Sequence, residues 1–216
     1  MGFIRLFWLR SRLLLLVLVL PLILSAPHSA AEPQSLWDDA DLQNLEPEII
    51  DVIKFRRKPI LNSYWETIPS IRICIDSGVS SARASQAMSF WQKLGYPLEN
   101  LFFDDGSVLC NVGGVRGEIT VMLVNSDVPI GNSHLAITRT WHNNINNTLT
   151  RAQIYVFGGL ANKPRLLEHE LGHALGWGHY NRYLHVMNSE YRLTGMDTNG
   201  LTWGEYISDT ERLKGL

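Results

Sequence analysis

The sequence has little of what marks disulfide-rich or nucleic-acid-binding proteins. Only two cysteines, Cys74 and Cys110, occur in 216 residues, and no C-x-x-C pair is present, so a separate cysteine-based zinc site is not indicated. Charged residues make up 19% of the chain and the formal net charge is −2, which argues against a polyanionic partner. Basic residues are densest at 54–58 and form no stripe. What remains is an ordinary globular composition, 45% apolar, with enough material for one core.

The longest apolar run lies near the N-terminus, at 13–24, where arginines precede it and small residues follow. This pattern is typical of a secretory signal peptide, which we predict over residues 1–31, with Ala30 as an alternative end. The run is also long enough for a signal anchor that stays in the membrane. No cysteine follows the run directly, which argues against a lipoprotein. We expect a secreted protein, extracellular or periplasmic, without stable membrane association after signal cleavage.

Two features of the exported chain follow from this prediction. An oxidising compartment favours a disulfide between Cys74 and Cys110, with two buried thiols as the alternative. Residues 32–63 begin acidic, continue with an amphipathic apolar pattern and end basic. They are interpreted as a short pro-segment or as an N-terminal arm, and both interpretations stay open.

The rest of the chain alternates between strand and helix patterns. Strands are predicted where apolar residues alternate or β-formers cluster, at 71–75, 119–124, 135–141 and 153–157. A helix is predicted at 80–94, and Ser208 is a suitable N-cap for a final helix at 209–213. This order indicates a mixed sheet backed by helices.

The most informative stretch reads H-E-x-x-H-x-x-G-x-x-H and begins at His169. Residues four apart share one face of a helix, so His169 and His173 can bind one metal ion. Glu170 is rotated by about 100° from His169, so it can reach water at the metal and suits a general base. Gly176 can take positive φ at the helix end and return His179 to the metal. Three neutral imidazoles leave a fourth position open, as in catalytic zinc sites.

This motif resembles that of the metzincins, a family of zinc metalloproteases. Met187 follows eight residues after His179, where these enzymes place the methionine of their Met-turn, and the spacing is closest to the matrixin branch. The resemblance covers residues 64–216 and implies a metzincin-like catalytic domain of the α+β class. Its zincin fold would have a twisted mixed five-stranded sheet, an active-site helix and a small C-terminal subdomain below the cleft. The substrate would lie along an edge strand, here at 135–141.

Some positions depart from the family pattern. Ser189 stands where astacins and serralysins carry an additional tyrosine ligand, and the nearby Tyr191 is expected to pack. His134, His142 and Asp127 do not reproduce the structural metal loops of matrixins. We therefore expect one catalytic zinc, with no support for calcium or a second zinc. His185 is expected to be a packed or exposed residue and not a fourth ligand.

The motif and the resemblance together predict a secreted zinc endopeptidase that hydrolyses peptide bonds. Zinc on the three histidines would activate water, and Glu170 would take its proton and pass it to the leaving amine. We expect a monomer that acts on peptide or protein substrates and binds no nucleic acid. The alternatives are a catalytically silent zinc-binding module and a membrane-anchored structural protein, and the intact Glu170 argues against both.

Overall fold

A mostly parallel six-stranded sheet lies at the centre of the structure, a computed structural model that describes residues 58–104, 106, 108–124, 134–143 and 145–215. The predicted signal peptide, most of the predicted arm and Asp127 lie outside these residues. Within the described ranges, no helix combines the length and the apolar character that a membrane span requires.

The elements alternate along the chain much as the sequence predicts. The strands are β1 (Tyr64–Trp65), β2 (Ser70–Cys74), β3 (Leu101–Asp104), β4 (Glu118–Leu123), β5 (Ala136–His142) and β6 (Thr148–Val156). The α-helices of the described residues are α1 (Ser81–Lys93), α2 (Val108–Asn111), α3 (Leu166–Ala174) and α4 (Trp203–Lys214). Short 3-10 helices occupy Ile75–Ser77 and Tyr191–Leu193. The protein is therefore mixed α/β.

The sheet has the order β1-β6-β4-β2-β3, and these neighbours all pair in parallel. The seven-residue β5 runs antiparallel to β6. The resemblance implied a five-stranded sheet, and the sequence pattern located four strands. The described residues form six, and the two that were not located are β3 and the two-residue β1, which pairs with the start of β6. Since β5 pairs with β6 alone among the described strands, its other side is a free edge of the sheet.

The core lies between one face of the sheet and the helices α1 and α3. Parallel strands are joined by crossovers that cover a face with helices, which explains the apolar residues on this side. The face presents side chains that are at most 2% exposed, namely Ile71, Ile73, Ile119, Val121 and Ile154. Between the two helices, the buried Arg83 pairs with the buried Glu168, and the indole of Trp91 donates to the carbonyl of Glu168 at 3.0 Å.

The opposite face of the sheet is polar and is covered by the loop that follows β3. Arg72 alternates with the buried isoleucines of β2 and binds Glu118 at 2.7 Å and Asp104 at 3.1 Å. The predicted disulfide is confirmed, and Cys74 and Cys110 have a Cα–Cα distance of 5.8 Å. The bond anchors α2 at the end of β2, and the loop continues until Gly113 accepts a hydrogen bond from Gln153 at 2.6 Å.

The final helix is longer than predicted and begins earlier. Its N-cap is Thr202, whose side chain accepts from the backbone of Glu205 while Glu205 binds the Thr202 backbone, forming a capping box. The prediction that Ser208 is the N-cap is therefore wrong, because the capping box starts the helix six residues earlier. Tyr206 in this helix is buried, and its hydroxyl accepts a hydrogen bond from the backbone of Trp65 at 2.8 Å. This hydrogen bond thus connects α4 to β1, the first strand of the sheet.

Candidate metal centre

Helix α3 carries two of the predicted ligands on one face because its other face is anchored in the core. Leu167, Leu171 and Ala174 are at most 1% exposed. The helix ends at Ala174, and Gly176 has a φ of 106°, so the prediction of a positive φ at the helix end is confirmed. A Cβ on Gly176 would overlap the carbonyl of Ser63, so the close approach of these two backbone segments also requires glycine there.

The three predicted histidines lie together. The Nε2 atom of His173 is 3.0 Å from Nε2 of His169 and 3.1 Å from Nε2 of His179. Ligand nitrogens from the three rings all lie within 4.8 Å of one another. Within the described ranges, no other group of three or more His, Cys, Asp or Glu side chains converges in this way.

Backbone carbonyls fix the tautomers of two of these rings. Nδ1 of His169 lies 2.7 Å from the carbonyl oxygen of Val186, and Nδ1 of His173 lies 2.8 Å from that of Trp177. A carbonyl oxygen can only accept, so both Nδ1 atoms carry the proton of a neutral imidazole. Both Nε2 atoms then present lone pairs to each other at 3.0 Å, and neither can donate to the other.

Protonation does not relieve this contact near neutral pH. Burial lowers the pKa of His169 to about 4 and that of His173 to about 3, with neighbouring histidines adding to the effect. Burial also lowers the pKa of His179. A cation between the three nitrogens would satisfy the converging lone pairs, and a set of three neutral imidazoles with outer hydrogen bonds to carbonyls fits Zn²⁺.

Glu170 follows His169 in the sequence, but its side chain contacts Thr138 of β5. Its side chain is 5% exposed, and Oε2 accepts a hydrogen bond from the Thr138 hydroxyl at 2.6 Å. Burial raises the pKa of Glu170 to about 7, and the hydrogen bond from Thr138 opposes that rise. A carboxyl group with a pKa near neutrality can both accept and return a proton, which a general base needs.

Met187 lies in the core against α3, the helix that carries His169 and His173. It is fully buried, and a Cβ on Gly172 would overlap its sulfur, so the glycine inside α3 allows the close approach. The preceding residue, Val186, supplies the carbonyl that orients His169. The turn around Met187 therefore contributes to the orientation of His169, a predicted ligand.

His185 stabilises the turn around Met187 through two hydrogen bonds. It is fully buried, its Nδ1 accepts from the backbone N–H of Met187 at 3.1 Å, and its Nε2 donates to the carbonyl of Asn199 at 3.0 Å. His185 was expected to be packed or exposed, and these contacts show that it is packed. Its two hydrogen bonds tie the turn to the backbone near residue 199.

A cleft of about 680 Å³ opens beside the histidines. Its walls are β5, the start and end of α3 and the C-terminal segment, represented by Ile137, Leu166, Gly178, Asn188 and Thr194. Asn62 and Ser63 also line the cleft. Tyr191 forms part of the same wall, and its hydroxyl donates to the carbonyl of Pro164 at 2.8 Å, in agreement with the predicted packing role.

The free edge of β5 faces this cleft. The backbone N–H of Phe157 donates to the carbonyl of Leu135, which sets the alternation of bonded and non-bonded pairs along β5 and β6. Ala136 and Thr138 therefore occupy non-bonded positions, where N–H and C=O point away from β6. The predicted strand at 135–141 is present with bounds shifted by one residue.

Several contributors to the site were not predicted from the sequence. The hydroxyl of Thr138 and the carbonyls of Val186 and Trp177 act through tertiary contacts that no local pattern reveals. Gly172 was not predicted either, although a glycine inside a helical pattern is a signal of a close approach by another group. His134 lines the cleft and His142 is exposed at the end of β5, and neither belongs to the histidine cluster.

No protein-family model matches this sequence, and no curated protein sequence matches it.

Proposed function

We propose that this protein is a zinc-dependent endopeptidase of the metzincin type, nearest to the matrixin branch. The observation that carries the proposal is the convergence of three imidazole nitrogens beside a buried carboxylate, in a cleft walled by a free strand edge. Each part has a separate role in peptide hydrolysis, and the three parts lie in one place.

His169, His173 and His179 would hold the zinc ion through their Nε2 atoms. Zinc in such a site acts as a Lewis acid that polarises a carbonyl group and makes water acidic enough to lose a proton near neutral pH. The backbone carbonyls of Val186 and Trp177 keep the rings of His169 and His173 in the binding tautomer.

Glu170 would perform the proton transfers. Its carboxylate lies beside the ligands in sequence and lines the cleft, so it can accept a proton from water and later give that proton to the leaving amine. Burial raises the pKa of Glu170 to about 7 in the metal-free protein, and a Zn²⁺ ion nearby would lower this pKa and favour the ionised form that accepts a proton. The two transfers leave Glu170 unchanged after each cycle.

The edge of β5 would bind the peptide in an extended conformation. The outward N–H and C=O groups of Ala136 and Thr138 offer the hydrogen bonds of an added strand, and this mode recognises backbone more than side chain. Such binding places the scissile bond beside the histidines and favours unstructured segments of protein substrates.

The fold is compatible with the finer assignment. A mixed sheet lies on one side of the cleft, and α3 carries two of the proposed ligands. In the catalytic domain proposed for 64–216, the segment after His179 together with α4 would form the small C-terminal subdomain. The protein would be secreted into an oxidising compartment, where the disulfide would persist.

The test is cleavage of casein and of a broad peptide library by the purified protein, with and without residues 32–63, after loading with one equivalent of zinc. We expect cleavage that a chelator abolishes and added zinc restores. A fully loaded protein that cleaves nothing in either form would overturn the protease proposal and leave a zinc-binding module in its place.

A further inference from the structure

We propose that Thr138 is a positioning residue for Glu170, whose hydroxyl holds one carboxylate oxygen so that the other faces the cleft. This inference rests on the proposed function, because it concerns the group that would act as general base. Thr138 lies on the strand proposed to bind the peptide, so one strand would align both the substrate and the base.

The strand geometry directs the Thr138 side chain toward α3. Side chains alternate along a strand, and Thr138 pairs with Ile154, which is fully buried on the helix-covered face of the sheet. Threonine is branched at Cβ, which restricts the rotation of its side chain. The hydroxyl thus has few orientations available and contacts α3 from the wall of the cleft.

The hydroxyl has two acceptors within reach and one proton to donate. Its Oγ1 lies 2.6 Å from Oε2 of Glu170 and 3.2 Å from the backbone carbonyl of the same residue. The shorter distance lies in the range of hydrogen bonds to ionised carboxylates, which are roughly twice as strong as those between neutral groups. The proton therefore goes to the carboxylate.

The second oxygen of Glu170 is left for the reaction. Among the described residues no hydrogen bond reaches Oε1, while Glu170 lines the cleft. A glutamate side chain has several rotatable bonds, and fixing it in the one rotamer that the reaction needs costs conformational entropy. A hydrogen bond from a rigid strand holds the carboxylate in the orientation it needs before the substrate arrives.

Kinetics of three variants test this role. Thr138→Val keeps the shape of the side chain and the backbone of β5 but removes the hydroxyl, so kcat should fall about 10- to 100-fold, a part of the 10² to 10⁴ that a general base contributes. KM and zinc content should stay near wild type, since neither the strand edge nor the histidines change. Thr138→Ser restores the hydroxyl and should recover most of kcat. Thr150→Val makes the same substitution on β6, outside the cleft, where the hydroxyl donates to the Trp141 carbonyl, and should leave kcat unchanged.

A second readout does not depend on activity. In the metal-free protein, the melting temperatures of wild type, Thr138→Val, Glu170→Ala and the double variant form a thermodynamic cycle. If the hydroxyl binds the carboxylate, the shift caused by Thr138→Val should be smaller in the Glu170→Ala background than in wild type.

The two readouts separate the possible failures. Additive melting shifts, or an unchanged kcat in Thr138→Val, in a protein that does cleave peptides would overturn the positioning role alone. A loss of kcat that Thr138→Ser does not recover would also count against it. Absence of cleavage by zinc-loaded wild type would overturn the proposed function and the positioning role with it, whatever the melting cycle shows.

Discussion

Replacement of His185 by phenylalanine tests how the turn around Met187 supports the proposed metal centre. Phenylalanine keeps a ring of similar size in a fully buried position but removes both hydrogen bonds. The N–H of Met187 is then buried without an acceptor, which costs about 1 to 3 kcal/mol. The carbonyl of Asn199 also loses its bond to His185, and because that bond is only part-buried the larger cost comes from Met187.

The expected effects follow from these contacts. For a domain of this size, about 1 to 3 kcal/mol lowers the melting temperature of the metal-free protein by roughly 2 to 12 °C. The same turn presents the Val186 carbonyl to His169 at 2.7 Å, and loss of outer contacts of this kind weakens metal binding about 10- to 100-fold. Because His185 acts one residue away from that carbonyl, we expect the lower end, about tenfold.

Zinc affinity measured by competition with a chelator, together with the metal-free melting temperature, checks both effects. His142→Phe, at an exposed position at the end of β5, is the matched control and should change neither. A lower melting temperature with unchanged zinc affinity would show that His185 supports the fold alone and would refute the link from the turn to His169.

Three further predictions concern the disulfide, the strand edge and the metal. Joint replacement of Cys74 and Cys110 by serine should lower the free energy of unfolding by about 4 kcal/mol, since the bond closes a loop with a separation of 36 residues, and equal denaturation midpoints would contradict this. Ala136→Pro removes an N–H that points away from β6, so KM should rise while the zinc content stays the same. Ile137→Pro instead removes a hydrogen bond between β5 and β6 and should lower stability. Unchanged kinetics for Ala136→Pro would show that the peptide binds elsewhere. Zinc at 100 times its Kd should stabilise the folded protein by about 2.7 kcal/mol, seen as a rise in melting temperature, and a melting temperature that does not respond to zinc would exclude a folded-state site.

The sequence predicted the parts of the site that depend on local helical geometry. The spacing of His169 and His173 follows from the period of the helix, and the positive φ of Gly176 follows from the chemistry of glycine. Cys74 and Cys110 could be paired because they were the only two cysteines in a chain expected to be exported. These inferences need no knowledge of the tertiary fold.

The remaining parts depend on contacts between distant segments. The carbonyl of Val186 orients His169, yet every residue carries a carbonyl, so nothing in the sequence marks this one. β3 was missed because Phe102 and Phe103 are adjacent apolar residues, 44% and 51% exposed, and give no alternating pattern. The start of the last helix was misplaced because two competing caps, Thr202 and Ser208, both fit the local rules, and the capping box with Glu205 selects the first.

The central claim is that Glu170 moves protons beside a zinc ion that it does not bind. Glu170→Gln keeps the shape of the side chain but removes its basicity, so the most direct measurement is kcat together with zinc content for this variant, beside wild type and His173→Ala. We expect Glu170→Gln to hold about one zinc per chain and to lose about 10² to 10⁴ in kcat, whereas His173→Ala should lose metal and activity together. A zinc-loaded Glu170→Gln variant that cleaves casein as fast as wild type would contradict the account.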